Sequence, residues 1–168
     1  MTEPSLIVPG LVPIARTVQS QIEALEKTRW SRSFSYRELQ ELTGYMSSFK
    51  ATKGTVVFKE GARESYMSLI VDGKVAVVKS GTGRKRRVIS QLGPGKILGE
   101  MALVDGEPRS ASCIALVETE LMVMADVDFN TLRKESPPLA LKLVEDIARS
   151  LSQRLRLTSG ELIDQLLS

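Results

Sequence analysis

Gly99-Glu100-Met101-Ala102-Leu103-Val104-Asp105-Gly106-Glu107-Pro108-Arg109-Ser110-Ala111-Ser112 interrupts a chain that otherwise alternates short β-rich runs with turns. Gly99 permits a tight backbone approach, and Glu100 to Val104 predicts one helical turn whose free N–H groups can face an anion. Asp105-Gly106 reverses the chain, Pro108 stiffens the return, and Arg109 comes back near the start of the turn. A carboxylate, an arginine and free amides thus converge on one small space. Amides and arginine suit a phosphate, and a glutamate suits a pair of hydroxyls.

Outward from this segment the texture is that of an antiparallel β protein. The β-rich runs are Tyr45–Phe49, Thr55–Phe58, Tyr66–Val71, Lys74–Lys79, Arg86–Leu92, Ala111–Val117 and Leu121–Ala125. Turn signals separate them at Lys53-Gly54, Glu60-Gly61, Asp72-Gly73, Gly81-Thr82-Gly83 and Gly93-Pro94-Gly95. Asp72-Gly73, between two β-branched runs, predicts a two-residue hairpin. Many short strands at this spacing predict a barrel or sandwich, not βαβ units.

Helical signals flank the β region. The first fourteen residues carry Pro4, Pro9 and Pro13 and read as an extended arm. Val18, Ile22 and Leu25 recur at helical spacing between Ala15 and Trp30, and Ser31 to Ser33 is polar punctuation. Ser35 with Glu38 forms a capping box that opens a short helix ending at Gly44. Asp128 to Lys134 predicts one or two helical turns, closed by Ser136-Pro137-Pro138. Leu143, Ile147, Leu151 and Leu155 then repeat every fourth residue, with Leu141, Val144 and Ala148 widening the stripe, which predicts a long helix. Gly160 is expected to interrupt it before Leu162, Ile163, Leu166 and Leu167.

Composition narrows the chemistry. The 168 residues include no histidine and one cysteine, Cys113. That excludes histidine triads, zinc sites with histidine ligands, disulfide frameworks and multi-cysteine clusters, and it suits a reducing compartment. The charge is 23 Lys+Arg against 20 Asp+Glu, a net of +3, too little to imply nucleic-acid binding. No apolar run approaches the roughly 20 residues of a membrane span. The expected location is cytoplasmic, with no membrane partner. No metal-ligand cluster is evident, and the protein reads as a non-enzyme.

Gly99 to Leu103 followed by Pro108-Arg109-Ser110-Ala111-Ser112 resembles the phosphate-binding cassette of the cyclic nucleotide-binding domains. That family includes bacterial catabolite activator proteins and protein kinase A regulatory subunits. Lys59-Glu60-Gly61, Asp72-Gly73-Lys74-Val75 and Gln91 to Gly99 resemble the family's β-roll glycines and the approach to its cassette. The match covers roughly Phe34 to Leu155, and Leu98 departs from it where the family often has Phe, which is expected to alter packing rather than binding. The resemblance implies an antiparallel β-roll with N-terminal helices and a long C-terminal helix. It also implies a cyclic purine mononucleotide as ligand, cAMP first and cGMP second, with no further cofactor. Glu100 would take the ribose 2′-hydroxyl, and Arg109 the cyclic phosphate, aided by the backbone N–H of Ala102 and by Ser110 and Ala111. Gly99 would let the backbone close on the sugar beside Met101. In the family a Thr after the cassette Arg favours guanine, and Ser110 has that hydroxyl without the methyl. Arg154 to Ser159 resembles the helix of catabolite activator proteins whose Thr-Ser pair reaches adenine from each subunit, so Thr158 and Ser159 would read the base.

Plainer readings stand beside these. Thr158-x-x-Glu161 is itself a capping box pattern. Ser110 can satisfy its own loop backbone. Arg84-Lys85-Arg86-Arg87 reads as a solvated hairpin tip, or as a site for an acidic partner, nucleic-acid phosphates or an anionic membrane surface. Cys113, Met101, Met122 and Met124 read as core filler. Arg109 and Glu100 can be read as a surface ion pair, although Arg109 is expected to serve the ligand more than the core. The expected organisation is 1–34, an N-terminal arm and helix; 35–135, the β-roll; and 136–168, a helical lid and dimerisation segment. The surplus apolar surface of the last segment predicts a homodimer through the C-terminal helix, and ligand binding is expected to be relayed to an unidentified protein effector. Relatives carry a helix-turn-helix after this helix; the sequence stops at Ser168, so DNA binding by this chain alone is not expected. The alternatives are a structural dimerisation or interaction module with a vestigial pocket, and a truncated cAMP-dependent transcription regulator.

Overall fold

The computed structural model describes residues 8–81 and 85–167. The first seven residues of the expected arm, Thr82 and Gly83 of one expected turn, Arg84 of the basic cluster, and Ser168 lie outside them. The contacts fall into two compact units that divide between Asn130 and Thr131.

Among the described residues of the first unit, nine strands form two antiparallel sheets. They are β1 (Val12–Pro13), β2 (Ser47–Ala51), β3 (Val56–Phe58), β4 (Tyr66–Asp72), β5 (Val75–Ser80), β6 (Arg86–Leu92), β7 (Ile97–Leu98), β8 (Ser112–Ala115) and β9 (Thr119–Ala125). One sheet has the order β1-β2-β9-β4-β7 and the other β3-β8-β5-β6. The family's β-roll is therefore what the chain adopts. Residues of β2, β4 and β9 (Phe49, Ile70, Leu121 and Val123) and of β3, β5 and β8 (Val57, Val75, Cys113 and Ala115) enter the core between the sheets. Each large apolar side chain buried this way contributes about 1.5–3 kcal/mol. Met67, Leu69, Met122 and Met124, on the alternate positions of β4 and β9, are buried as well. Those strands consequently read as continuous apolar runs instead of alternating ones.

The flanking helices follow local signals. Helix α1 (Val18–Glu26) begins at Thr17, whose hydroxyl accepts from the Ser20 N–H at 3.2 Å. A 3-10 helix occupies Trp30–Ser33, where polar punctuation was expected. Helix α2 (Tyr36–Thr43) carries the expected capping box: Ser35 Oγ accepts from Glu38 N–H at 3.3 Å, and Glu38 Oε2 accepts from Ser35 N–H at 2.7 Å. Helix α3 (Glu100–Asp105) is the turn predicted within the cassette. Helix α4 (Asp126–Glu135) crosses the division between the units.

The second unit is dominated by α5 (Pro137–Leu167), one continuous helix of 31 residues. Gly160 does not break it, and Thr158 lies inside it and caps no second helix. A mid-helix glycine costs only about 1 kcal/mol relative to alanine, too little to stop a long helix. Leu139, Leu143 and Ile147 are buried; Leu155, Leu157, Leu162, Ile163, Leu166 and Leu167 are exposed. No described helix is long and apolar enough to cross a membrane.

One expectation gains detail and one needs correction. The described part of the arm is extended and paired: Val12 and Pro13 pair with Lys50 and Phe49, and Val8 and Leu11 are buried. Proline is tolerated there because β1 is an edge strand. Asp72-Gly73 does not make a hairpin, because β4 and β5 belong to different sheets. It is a corner at which the chain crosses from one sheet to the other. The adjacent-strand connection of that second sheet is β5 to β6, where Gly81 N–H donates to Lys85 O at 2.8 Å. Lys85, Arg86 and Arg87 are exposed there, as a solvated loop requires.

Candidate functional site

The site is built where β7 ends and the return segment to β8 folds back. Gly99 caps α3 with φ +73°, a left-handed conformation that favours glycine. A Cβ at Gly99 would press on Arg109 Nη1 and lie 2.9 Å from Tyr66 O and 3.1 Å from a Phe58 ring carbon. No side chain larger than hydrogen fits without displacing the backbone of β4. Glu100 follows at 1% exposure and Ala102 at 6%. The carbonyl of Ala102 accepts from Ser65 Oγ at 3.1 Å and from Gly106 N–H at 3.1 Å, which fixes the helical turn from both ends.

Arg109 is the centre of the arrangement. Its Nη1 donates to Gly99 O and its Nη2 to Tyr66 O, each at 2.8 Å. Its guanidinium carbon lies 4.2 Å from the Phe58 ring centroid and 4.5 Å from that of Tyr66. The two rings meet edge to face at 6.2 Å and 75°, so the cation is bracketed by aromatic faces. Its backbone is held too: Arg109 N–H donates to Ala62 O, and Gly61 N–H donates to Arg109 O, both at 2.8 Å. Burial pulls the guanidinium pKa below its ordinary value, yet arginine stays protonated near neutrality. Burial also raises the Tyr66 hydroxyl to about 12, so it remains a donor, to Val57 O at 2.6 Å. Among the described residues, buried Nε of Arg109 has no hydrogen-bond partner. An arginine with a spare buried donor can do one thing chemically that these neighbours do not exploit, which is to receive an anion.

The structure therefore brings Glu100, Ala102, Arg109 and Ala111 together as a buried set beside half-buried Gly99, to whose carbonyl the guanidinium is bonded. Met101 and Ser110 are on the exposed side, where Ser110 Oγ lies 4.0 Å from Met101 Sδ. Met101 is 45% exposed, so it is not core filler, whereas Met122, Met124 and Cys113 are buried. Thr158 and Ser159 are exposed on α5, in the second unit. Arg109 also serves the fold, because it satisfies two carbonyls and packs on two rings. Phe58, Tyr66 and Lys79 were missed. Phe58 and Tyr66 read only as apolar strand positions, and Lys79 as a strand end; nothing local marks them as neighbours of a segment thirty or more positions away.

Comparisons with known proteins bear on the family and the fold. The family of the cyclic nucleotide-binding domain matches residues 49–136. The chain is 34% identical over 101 residues to the cyclic AMP receptor protein of Thermus thermophilus, covering 60% of this chain and 47% of that protein. It is 37% identical over 87 residues to a cyclic nucleotide-gated potassium channel of Rhizobium etli, covering 52% of this chain and 23% of the channel. The chain thus spans about half the length, or less, of these curated relatives. Among solved structures, a cyclic nucleotide-binding domain from Methylobacillus flagellatus is 29% identical with a TM-score of 0.82, covering 94% of this chain and 90% of that one. The catabolite activator protein of Thermus thermophilus is 30% identical with a TM-score of 0.70, covering 82% of this chain and 62% of that one.

Proposed function

The chain belongs to the cyclic nucleotide-binding domain family, and on that premise we propose that it is a cyclic AMP sensor, not a catalyst, that relays ligand binding through α5 to a protein effector. The observation that carries this reading is the Arg109 guanidinium, 4% exposed and held by carbonyls, with Nε unpartnered. A buried cation gains most from an anion that completes its hydrogen bonds. In this reading Arg109 holds the cyclic phosphate with the Ala102 N–H, Ser110 and Ala111, and Glu100 takes the ribose 2′-hydroxyl. Gly99 leaves room for the sugar, and Met101 borders it on the exposed side. Thr158 and Ser159 read the base, as their exposed hydroxyls permit. A ligand shifts an equilibrium only through its different affinity for two states, so α5 must differ between them. Isothermal titration of cAMP, with cGMP in competition, tests the proposal. Saturable binding with preference for cAMP is expected; no binding of either nucleotide to the folded chain would leave a vestigial pocket.

Glu100→Gln gives a finer test. A ribose hydroxyl can still donate to an amide oxygen, but the charge-assisted bond becomes a neutral one of about half the strength. Affinity for cAMP is expected to drop while that for its 2′-deoxy analogue changes little. Equal losses for both ligands would show that Glu100 shapes the cassette and does not read the sugar.

The proposed assembly is a homodimer through α5. Its distal half exposes Leu155, Leu157, Leu162, Ile163, Leu166 and Leu167, all more than half accessible. Apolar surface of that extent generally marks an interface, and closed two-fold dimers are the commonest oligomers. Light scattering at about ten to fifty micromolar is expected to give the mass of a dimer, and Leu162→Glu to shift it toward monomer, because a charge in an apolar seam costs several kcal/mol. A monomer with and without cAMP would overturn the dimer.

A further inference from the structure

A polar network outside the buried set converges on the cassette's return segment. Glu60, in the turn between β3 and β4, pairs with Lys79 at the end of β5, Oε1 to Nζ at 2.9 Å. The other carboxylate oxygen accepts from the Ser80 N–H at 2.8 Å. Lys79 Nζ also donates to the carbonyl of Ser110, the residue after Arg109. The backbone of Glu60 joins the same contact, since its N–H donates to Ser112 Oγ at 2.9 Å. With the Gly61 and Arg109 backbone bonds at 2.8 Å, residues 60–62 are zipped to residues 109–112. Hydrogen bonds from Lys79 and from the Ser80 backbone hold the Glu60 carboxyl down to about 2, so this carboxylate stays charged across the neutral range.

We infer that Glu60 and Lys79 form a clamp that pre-sets the Arg109–Ser112 segment for the cyclic nucleotide, which makes both of them positioning residues. The inference rests on the proposed function, because it assigns the clamp a purpose at that same site. The physical reason is that ordering a loop before the ligand arrives removes that cost from binding. If only a fraction of molecules has the competent loop, the apparent dissociation constant rises by the inverse of that fraction. Lys79 is the key member because it makes two contacts, one to a carboxylate and one to a carbonyl. A plain ion pair would need only the first.

The test uses the whole chain with Lys79→Met, Lys79→Arg and the reversed pair E60K/K79E. Lys79→Met is expected to weaken cAMP binding about tenfold, corresponding to a competent fraction of roughly one tenth. Lys79→Arg retains two donating directions and is expected to stay within about threefold of the parent. The reversed pair restores opposite charges but leaves the Ser110 carbonyl and the Ser80 N–H without Lys79 and Glu60 as partners, so it is expected to remain as weak as Lys79→Met. Recovery of affinity in the reversed pair would overturn the clamp in favour of simple charge pairing. Amide exchange in nucleotide-free protein keeps the two ideas apart. Faster exchange at Gly61 and Arg109 in Lys79→Met supports the clamp even if the parent bound no nucleotide, a result that would overturn the proposed function alone. Unchanged exchange in that variant would overturn the clamp.

Discussion

Arg109→Ala is expected to weaken cAMP binding by about 2–5 kcal/mol, the usual loss when one partner of a buried, hydrogen-bonded charge pair is truncated. That corresponds to a dissociation constant roughly thirty- to several-thousand-fold higher. The structure adds a second effect that the sequence alone did not suggest. Gly99 O and Tyr66 O each lose a donor at 2.8 Å, and the Phe58 and Tyr66 rings lose the group they bracket. An unsatisfied buried acceptor costs about 1–3 kcal/mol, and relief of the cation's own desolvation offsets part of that. The net expectation is a loss of about 1–3 kcal/mol in stability, or roughly 2–12 °C in melting temperature for a chain of this size. Titration and a melting curve on the same sample separate the two effects. Arg109→Lys sharpens the result, because a point charge cannot reach two carbonyls and two phosphate oxygens as a fork does. It is expected to recover part of the affinity and little of the stability. A folded Arg109→Ala protein that binds cAMP within about threefold of the parent would remove Arg109 from the phosphate site.

Signals that act over a few residues were legible in the sequence. The Ser35–Glu38 capping box needs only a hydroxyl and a carboxylate three positions apart, and it forms with both bonds in place. The cassette was legible for the same reason. Gly99, the α3 turn and the reversal at Asp105-Gly106 are local, and together they return Arg109 to the Gly99 carbonyl. What escaped depended on distant partners. Strand β7 is only Ile97 and Leu98, too short to show alternation, and it exists because β4 offers an edge. Strand β1 was hidden by prolines that an edge position tolerates. The aromatic bracket escaped for a different reason, since Phe58 and Tyr66 occupy ordinary strand positions and gain their role only when Arg109 arrives between them. Lys79 and Glu60, nineteen positions apart in sequence, meet because β5 runs beside β8.

The corner at Gly73 shows how a local turn signal can be correct about the bend and wrong about its destination, and it carries the largest expected effect on stability. Gly73 has φ +95°, and a Cβ there would lie 2.5 Å from Thr119 Oγ1, 2.6 Å from Glu118 O and 2.7 Å from Thr119 Cα. Thr119 is fully buried, and its hydroxyl accepts from Lys74 N–H at 3.2 Å while lying 3.0 Å from Val117 O, an acceptor for it. The corner is thus stitched to the start of β9, and two of the three obstructing atoms are backbone, which cannot rotate away. The left-handed conformation costs an alanine about 1–2 kcal/mol, and overpacking adds about 1–3 kcal/mol. Gly73→Ala is expected to destabilise the fold by about 2–5 kcal/mol, a melting temperature lower by roughly 4–20 °C. Gly54→Ala is the control, because its φ is +86° but nothing lies within 4 Å of the added methyl. Only the backbone cost of about 1–2 kcal/mol applies there. Chemical denaturation of both variants measures the difference. If Gly73→Ala were no less stable than Gly54→Ala, the contact with Glu118 and Thr119 would not be what turns the chain from one sheet into the other.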